Sequence, residues 1–318
     1  MAIHGLCMVK DEADIVEQCL RAALAWCDRI YVFDNGSTDG SWEIVKRLAA
    51  DETAIVPFRQ DGATFSDAMR RQIFDAFRHE ARPGDWWCRL DADEFYLDDP
   101  RIFLAKIPSV YGVVASTSIT YYFTDRDAAE YRRDPEAFMA RPLERRIRHY
   151  LAHWGEPRFF RHQDGMTWEE GDGGFPAAIS RMKLYPVRIW LKHYQYRSPE
   201  QIENRLRARW PAIRSGAFAH EAVADWSGAV AAIRRTRAGF KENGQQYATS
   251  RWQDRVVPAE ALDHDDLDNR YVVDEALLPR IDLAGTPLQR LRWALTPRVK
   301  SLIGRLSPQS SVLRSRRC

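Results

Sequence analysis

Five acidic residues follow a short apolar run in the segment WCRLDADEFYLDD, residues 87–99. Carboxylates crowded this closely repel one another and resist burial unless a cation or a hydrogen-bonding ligand lies between them. Within this segment, Asp93 can ligate Mn²⁺ or Mg²⁺ through oxygen while the ion bridges two phosphates, and Asp91 can bind a ribose hydroxyl or a metal-bound water. Most isolated Asp-x-Asp pairs are solvated loops. The apolar run before this pair favours a bound ligand instead.

The apolar pattern predicts the elements that position this cluster. Strand patterns alternate with helical spacing, which indicates βαβ units and a mostly parallel sheet with helices on both faces. The predicted fold class is therefore α/β, with a helical C-terminal extension that begins near Ser198. The predicted strands are 3–10, 29–34, 54–60, 86–90 and 111–123, and the predicted helices are 15–24, 41–50, 64–81, a segment opening at 99–100, and 226–243.

Polar residues follow three of the predicted strands. They lie at 10–12, 34–36 and 91–94. Ligands of open α/β sheets bind at the carboxyl ends of the strands, so we expect the three clusters to converge on one crevice. The chain has no GxxxxGK[ST] loop and no GxGxxG after its first strand, so phosphate must be bound in another way.

Composition limits the class of protein. Hydrophobic residues make up 45% and charged residues 29% of the 318 residues, which is typical of a soluble globular enzyme. No apolar run reaches the roughly 20 residues of a membrane-spanning helix, so a cytoplasmic protein is predicted. The five cysteines show no CxxC pair, which argues against a disulfide framework or structural zinc. Residues 283–318 carry eight basic and no acidic residues, whereas the rest has a net charge of −6, which disfavours a nucleic-acid partner.

Three ordered motifs resemble a known family. The segments MVKDEADIVEQCLRAAL, IYVFDNGSTDGS and RLDADEF are similar to the pattern of glycosyltransferase family 2 on a GT-A fold. The resemblance extends to about residue 125 and more loosely to the HYQY segment at 193–196. It implies a Rossmann-like sheet, a nucleotide-diphosphate sugar donor that is UDP-linked, a divalent cation (Mn²⁺ or Mg²⁺), and inversion at the anomeric carbon.

The resemblance assigns donor-binding roles by position. Asp34 resembles the acid that hydrogen-bonds the uracil or ribose, although an Asx cap of the following turn is equally common for an Asp before Asn-Gly. Lys10 and Glu12 match the first loop lining the nucleotide pocket; the alternative is an acid-rich helix start. Arg70 and Arg71 lie where family members place an arginine against the donor, and one of the two is expected to be a surface residue. Asp91 joins this donor-binding set.

The same resemblance predicts the metal and catalytic residues. His193 is expected to complete a metal shell with Asp93 and Asp91, although a lone histidine after a strand is more often structural. An inverting transfer needs a general base. Asp172 is the first choice and Glu170 the second, because an acceptor-side loop is expected between Asp93 and His193. The clear Glu-Asp pair of better-defined members is missing here.

Four parts of the chain are predicted. Residues 1–125 form the nucleotide-sugar-binding half, and 126–200 form an acceptor-side region of the same domain that completes the metal site. From about 126 to 188 this region is expected to be irregular. Residues 201–282 form a helical C-terminal region. The basic tail at 283–318 is either a membrane-associating segment, with each cation near an anionic surface contributing about 1 kcal/mol, or a disordered extension.

The predicted function is metal-dependent transfer of a sugar from a nucleotide-diphosphate donor to a glycan or lipid-linked acceptor in cell-surface polysaccharide synthesis. The basic tail would then place the protein at the inner face of the membrane. One alternative is nucleotidyl transfer, which needs a glycine-rich triphosphate-binding segment that VKDEAD does not supply. Another is a non-catalytic protein that binds nucleotide sugars or acts as a scaffold.

Overall fold

The computed structural model describes residues 1–66, 68–170, 172, 174–214, 251–274 and 313–317. The strands are β1 (Ile3–Val9), β2 (Arg29–Asp34), β3 (Ile55–Gln60), β4 (Trp86–Asp91), β5 (Glu94–Tyr96), β6 (Tyr111–Tyr122), β7 (His149–Arg161), β8 (Lys183–Leu184), β9 (Ile189–His193), β10 (Asp263–His264), β11 (Arg270–Asp274) and β12 (Leu313–Arg317). The helices are α1 (Val16–Leu24), α2 (Ser41–Asp51), α3 (Ala68–Phe77), α4 (Pro100–Ala105), α5 (Asp125–Arg133), α6 (Pro135–Ala140), α7 (Leu143–Arg146) and α8 (Pro199–Arg214).

One curled sheet organises the described chain. Its strand order is β3-β2-β1-β4-β7-β6-β9-β5, and β8 and β10 pair with β6 and β7 beside this path. Strands β3, β2, β1, β4, β6 and β9 run in one direction, whereas β7 and β5 run against them. The predicted α/β class with a mostly parallel sheet is therefore confirmed.

Helices cover both faces of the parallel half. Every residue of β1 is buried, as expected for a central parallel strand. Cys7 of β1 packs in a core cluster with residues of α1 and α2, whereas Leu6 packs with residues of α3 on the opposite face. Helix α1 buries Val16, Cys19, Leu20 and Ala23, the i, i+3, i+4, i+7 spacing of an amphipathic helix. Packing of helices on both faces of the sheet fixes the positions of the carboxyl ends of the parallel strands.

The prediction of an irregular region from 126 onward is wrong for its central part. Helices α5 to α7 occupy its beginning, and β7 then crosses the middle of the sheet between β4 and β6. Strand β7 was not predicted because it contains Gly155 and Pro157, and both residue types weaken a strand pattern. The β6–β7 register shifts beside them, and a Cβ at Gly155 would lie 2.0 Å from the Ser116 hydroxyl oxygen. Bulges therefore absorb both residues.

The C-terminal segments differ from the predicted helical region. Helix α8 opens it, but 251–274 consists of two 3-10 turns and the strands β10 and β11. Asp265 is fully buried and accepts hydrogen bonds from the Tyr121 hydroxyl and the Leu267 amide. The predicted helix at 226–243 lies outside the described residues. Of the predicted basic tail, 313–317 forms β12, which pairs with β11.

Within these described ranges, no helix is long and apolar enough to cross a membrane.

Stability is expected to fall in mild acid because of a buried histidine at the start of β7. Burial, and then the nearby His264, lower the pKa of His149 from 6.5 to about 4. Between these values the unfolded chain binds a proton that folded His149 does not, so the free energy of unfolding decreases as the pH falls from about 6.5 to about 4. Urea denaturation at several pH values in this window measures the free energy of unfolding. For His149→Gln, this free energy should depend less steeply on pH than in the wild-type protein. An unchanged pH dependence would assign the acid sensitivity to other groups.

Candidate functional site

A cleft of about 490 Å³ opens at the carboxyl ends of the parallel strands. Its walls come from the ends of β1, β4 and β9, from the loop at 62–65, from β7, and from α8. Seven Arg and Lys side chains and five Asp and Glu side chains line it. The charged residues among them are Lys10, Glu12, Arg70, Arg89, Asp91, Asp93, Glu94, Glu156, Arg158, Arg205, Arg207 and Arg209. Cations therefore outnumber carboxylates in a space suited to an anionic ligand.

Asp91, the last residue of β4, is held between arginines. Arg70 of α3 contacts one carboxylate oxygen, and Arg158 of β7 contacts the other at 2.8 Å. Burial alone would raise the pKa of Asp91, but Arg70, Arg158 and Arg89 outweigh it and hold the pKa well below its usual range. Asp91 is therefore a carboxylate at neutral pH.

Asp93 and His193 meet although a hundred residues separate them. Antiparallel pairing of β5 with β9 sets Glu94 opposite His193, which leaves the His193 Nε2 atom 3.4 Å from Asp93 Oδ2. Arg205 of α8 approaches the same oxygen at 3.3 Å. Burial would raise the pKa of Asp93, but His193 and then Arg205 lower it well below its usual value. Two of the three residues predicted as metal ligands, Asp93 and His193, therefore lie side by side in the cleft.

Asp93 and His193 could be ligands of a divalent ion. They present a carboxylate oxygen, the ligand type that Mn²⁺ and Mg²⁺ prefer, and an imidazole nitrogen 3.4 Å from it. Asp91 is turned to its arginines instead, and no group of three His, Cys, Asp or Glu side chains in the described part of the chain is arranged to hold a metal. The buried Glu94 Oε2 atom has no hydrogen-bond partner among the described residues. Asp93 and His193 would therefore hold Mn²⁺ or Mg²⁺ with phosphate oxygens as further ligands.

The first loop reaches the cleft through Lys10 and Glu12. Lys10 Nζ donates to the Gly36 carbonyl at 2.7 Å. Glu12 is bound by Arg197, a fully buried arginine that also contacts Asp14 at 2.7 Å. Lys10 and Glu12, which were both predicted to bind the donor, thus line the cleft. The charge of Glu12 is balanced by Arg197, which lies in the segment that follows β9.

Asp34 is placed by its turn. Its Oδ1 atom accepts from the Ser37 amide at 2.7 Å and from Gln60 Nε2 at 3.1 Å, so the Asx cap considered from the sequence is present. Its Oδ2 atom is buried and has no partner within the described residues. Asp34 does not line the cleft, whereas the next residue, Asn35, does.

Asn35 and Gly36 build the adjoining wall. The Asn35 amide donates to the Asp61 carbonyl at 2.9 Å and to the Ala63 carbonyl at 2.7 Å, which fixes the loop at 61–65. Gly36 has a φ of 72°, and a Cβ there would lie 2.6 Å from the Gly62 Cα atom. A glycine is therefore required where the two loops touch.

The structure separates the predicted arginine pair. Arg70 is buried and reaches Asp91, whereas Arg71, one residue on, is partly exposed and does not line the cleft. Successive helix positions face different directions, so the two side chains cannot share one ligand readily.

Neither predicted base lines the cleft. Asp172 Oδ2 accepts from the backbone amides of Glu169 at 2.8 Å and Ala177 at 3.1 Å, and Glu170 is exposed. Their loop nevertheless lies beside the cleft, because the cleft residue Arg89 stacks over Phe175 at 4.7 Å. Trp168 is buried in the core, as its more common role predicts.

The sequence interpretation missed most of the arginines. Arg158 is not among the predicted site residues, yet it is 5% exposed and joins Asp91 to Glu94. Arg205 and Arg209 were assigned only to a helix. Their i, i+4 spacing in RLRARW places both on one face of α8, which is the signal that could have marked them.

Comparisons with known proteins bear on this site. Among curated proteins none matches the chain significantly. A mannosyltransferase, PcManGT from Pyrobaculum calidifontis in complex with GDP-Man and Mn²⁺, is 17% identical with a TM-score of 0.37, covering 67% of this chain and 64% of that one. S. aureus TarS 1-349 is 14% identical with a TM-score of 0.26, covering 39% of this chain and 36% of that one. The chain thus spans less than two thirds of either protein.

The family itself is identified from the sequence. The glycosyl transferase family 2 profile matches residues 8–185, more than half of the chain. The matched residues include the cleft loops at 10–12 and 62–65 and the acidic residues Asp91 and Asp93. The sheet has the mixed α/β organisation of a GT-A fold. The chain belongs to glycosyl transferase family 2.

Proposed function

We propose that this protein transfers a sugar from a nucleotide-diphosphate sugar, UDP-linked, to a hydroxyl group of a glycan or lipid-linked acceptor. The observation that carries the proposal is the meeting of Asp93 and His193 inside a cleft lined by seven cationic side chains. Such a cleft suits a diphosphate, whose negative charge grows as the sugar departs. No observation favours nucleotidyl transfer or a purely binding role over this one.

The cleft residues divide the work of donor binding. Asp93 and His193 would hold Mn²⁺ or Mg²⁺, which when bound supplies positive charge to the leaving diphosphate. Arg70 and Arg158 keep Asp91 ionised at the wall of the cleft, where Asp91 can accept a ribose hydroxyl. Lys10 lies at the nucleotide end, next to the loop that carries Asp34.

The proposed reaction inverts the anomeric carbon. The acceptor oxygen forms a bond to that carbon as the carbon–oxygen bond to the diphosphate breaks, and the bonding pair leaves on the diphosphate oxygen. The acceptor proton passes to a carboxylate, for which Asp172 is the first candidate and Glu170 the second. The contact of Arg89, a cleft residue, with Phe175 supports this choice, because Phe175 is close in sequence to both carboxylates.

The acceptor and pathway complete the proposal. A role in cell-surface polysaccharide synthesis would place the acceptor at the inner face of the membrane, where the basic segment 283–318 would meet anionic lipid. Co-sedimentation with anionic vesicles, and its loss above about 0.5 M salt, would test the membrane contact.

Transfer from a panel of UDP-, GDP- and TDP-linked sugars to hydroxyl acceptors tests the function. We expect turnover with one donor class and a requirement for Mn²⁺ or Mg²⁺. Asp172→Asn should lose roughly 100-fold in kcat while nucleotide affinity stays unchanged, because proton transfer to a positioned base contributes about 10²–10⁴-fold. Glu170→Gln is the matched comparison. If Asp172→Asn keeps full activity and Glu170→Gln does not, the base is Glu170; no turnover with any donor would reject the function.

A further inference from the structure

Arg205 of α8 lies beside two carboxylates of the cleft. Its Nη1 atom is 3.3 Å from Asp93 Oδ2 and 3.5 Å from Glu12 Oε1, although its side chain is only 8% exposed. Charge-assisted N–H···O bonds normally measure about 2.7–2.9 Å. Arg197 meets that standard, with bonds of 2.7 Å to Asp14 and to the Tyr194 carbonyl. Arg197 therefore makes the shorter contacts in this acidic group, whereas the contacts of Arg205 with Asp93 and Glu12 are longer.

Arg205 approaches Asp93 Oδ2, the oxygen atom that would be a ligand of a divalent ion. Asp93 Oδ2 is also the carboxylate oxygen nearest to His193 Nε2. A guanidinium and a divalent ion beside one carboxylate oxygen repel each other at such short range. Ion binding at Asp93 would therefore weaken the contact between Arg205 and Asp93.

The cleft offers Arg205 one class of new partner. Arg205 lines the same space as Asp93 and His193, so the diphosphate of a bound donor would lie within reach of its guanidinium. Glu12 keeps Arg197 as its partner, so it is not left without a counter-ion. The guanidinium carbon of Arg205 lies 5.8 Å from the centre of the Tyr196 ring, which attracts the cation without fixing the direction of its N–H groups. A planar fork of donors suits phosphate oxygens.

We propose that Arg205 exchanges partners during the reaction cycle, which rests on the function proposed above. In the free protein it neutralises Asp93. In the loaded protein it binds the diphosphate oxygens, where it stabilises the charge that develops as the sugar departs. Helix α8, which follows the family-matched region, would thereby sense whether the site is loaded.

Binding measurements on Arg205→Gln test the exchange in two directions. Removing the competing guanidinium should tighten binding of Mn²⁺ alone roughly threefold or more, measured from the electron paramagnetic resonance signal of free Mn²⁺. Removing the phosphate ligand should weaken UDP binding at saturating Mn²⁺ roughly tenfold, measured by calorimetry. GDP replaces UDP if the wild-type protein binds it more tightly. Arg205→Lys should recover part of the nucleotide affinity.

Arg21→Gln is the control for charge, because Arg21 is an exposed α1 residue paired with Glu17, and it should change neither affinity. Tighter Mn²⁺ binding without loss of UDP affinity would make Arg205 a simple counter-ion of Asp93 and overturn the exchange. Weaker UDP binding with unchanged Mn²⁺ affinity would make it a permanent phosphate ligand and equally overturn it. If the wild-type protein shows no metal-dependent nucleotide binding, the proposed function fails instead. Thermal denaturation of each variant verifies that it is folded.

Discussion

Asp93→Asn is expected to abolish the enhancement of nucleotide binding by Mn²⁺. The introduced asparagine would keep the size of the side chain and a hydrogen bond towards His193, but it would remove the charge that attracts a divalent ion. We expect the Kd of UDP in saturating Mn²⁺ to rise roughly 100-fold, which corresponds to about 2.7 kcal/mol. Without metal, UDP binding should tighten, because Arg205 no longer has the Asp93 charge as a partner and can bind the diphosphate. Calorimetric titration of UDP with and without Mn²⁺ measures both quantities.

Asp51→Asn supplies the matched control, because Asp51 is an exposed residue at the end of α2 and bears the same charge. It should bind UDP as the wild-type protein does. Retention of the full Mn²⁺ effect in Asp93→Asn would show that the ion, if bound, is held elsewhere, and the site assigned to Asp93 and His193 would have to be abandoned.

Among the single substitutions considered, Arg197→Met is expected to lower the free energy of unfolding most. Arg197 is fully buried and neutralises Glu12 and Asp14 at once, so its loss would leave two carboxylates without their main partner. Removing one partner of a buried ion pair typically costs about 3–5 kcal/mol. Methionine fills much of the same volume, so this loss would reflect charge rather than a cavity. Urea denaturation monitored by tryptophan fluorescence measures it.

Two further variants isolate the electrostatic cause. Arg47→Met removes an exposed arginine paired with Glu17, and it should cost no more than about 1 kcal/mol. Adding Glu12→Gln and Asp14→Asn to Arg197→Met should restore part of the stability, because the carboxylates that lost their partner are then gone. A triple variant no more stable than the single one would show that packing, and not charge, explains the loss.

Local patterns predicted the parallel half of the fold well. Strand β2 has its predicted bounds, and Asp99 caps α4 as expected, accepting from the Arg101 and Ile102 amides. These features depend on residues that are close in sequence: alternating burial, a capping side chain and a proline at the first helical turn. Strand β7 escaped prediction because bulges, which depend on the opposite strand, tolerate its Gly155 and Pro157.

The sequence by itself determined the family, the α/β class and the acidic half of the site, because Asp91 and Asp93 follow a recognisable buried strand and parallel strands bring their ends to one edge. Only the tertiary structure decided which cations face those acids. Arg70, Arg158 and Arg205 arrive from a helix, a bulged strand and a later helix. No spacing rule links residues so far apart, since long-range charge pairing is set by the packing of whole elements rather than by their order in the chain.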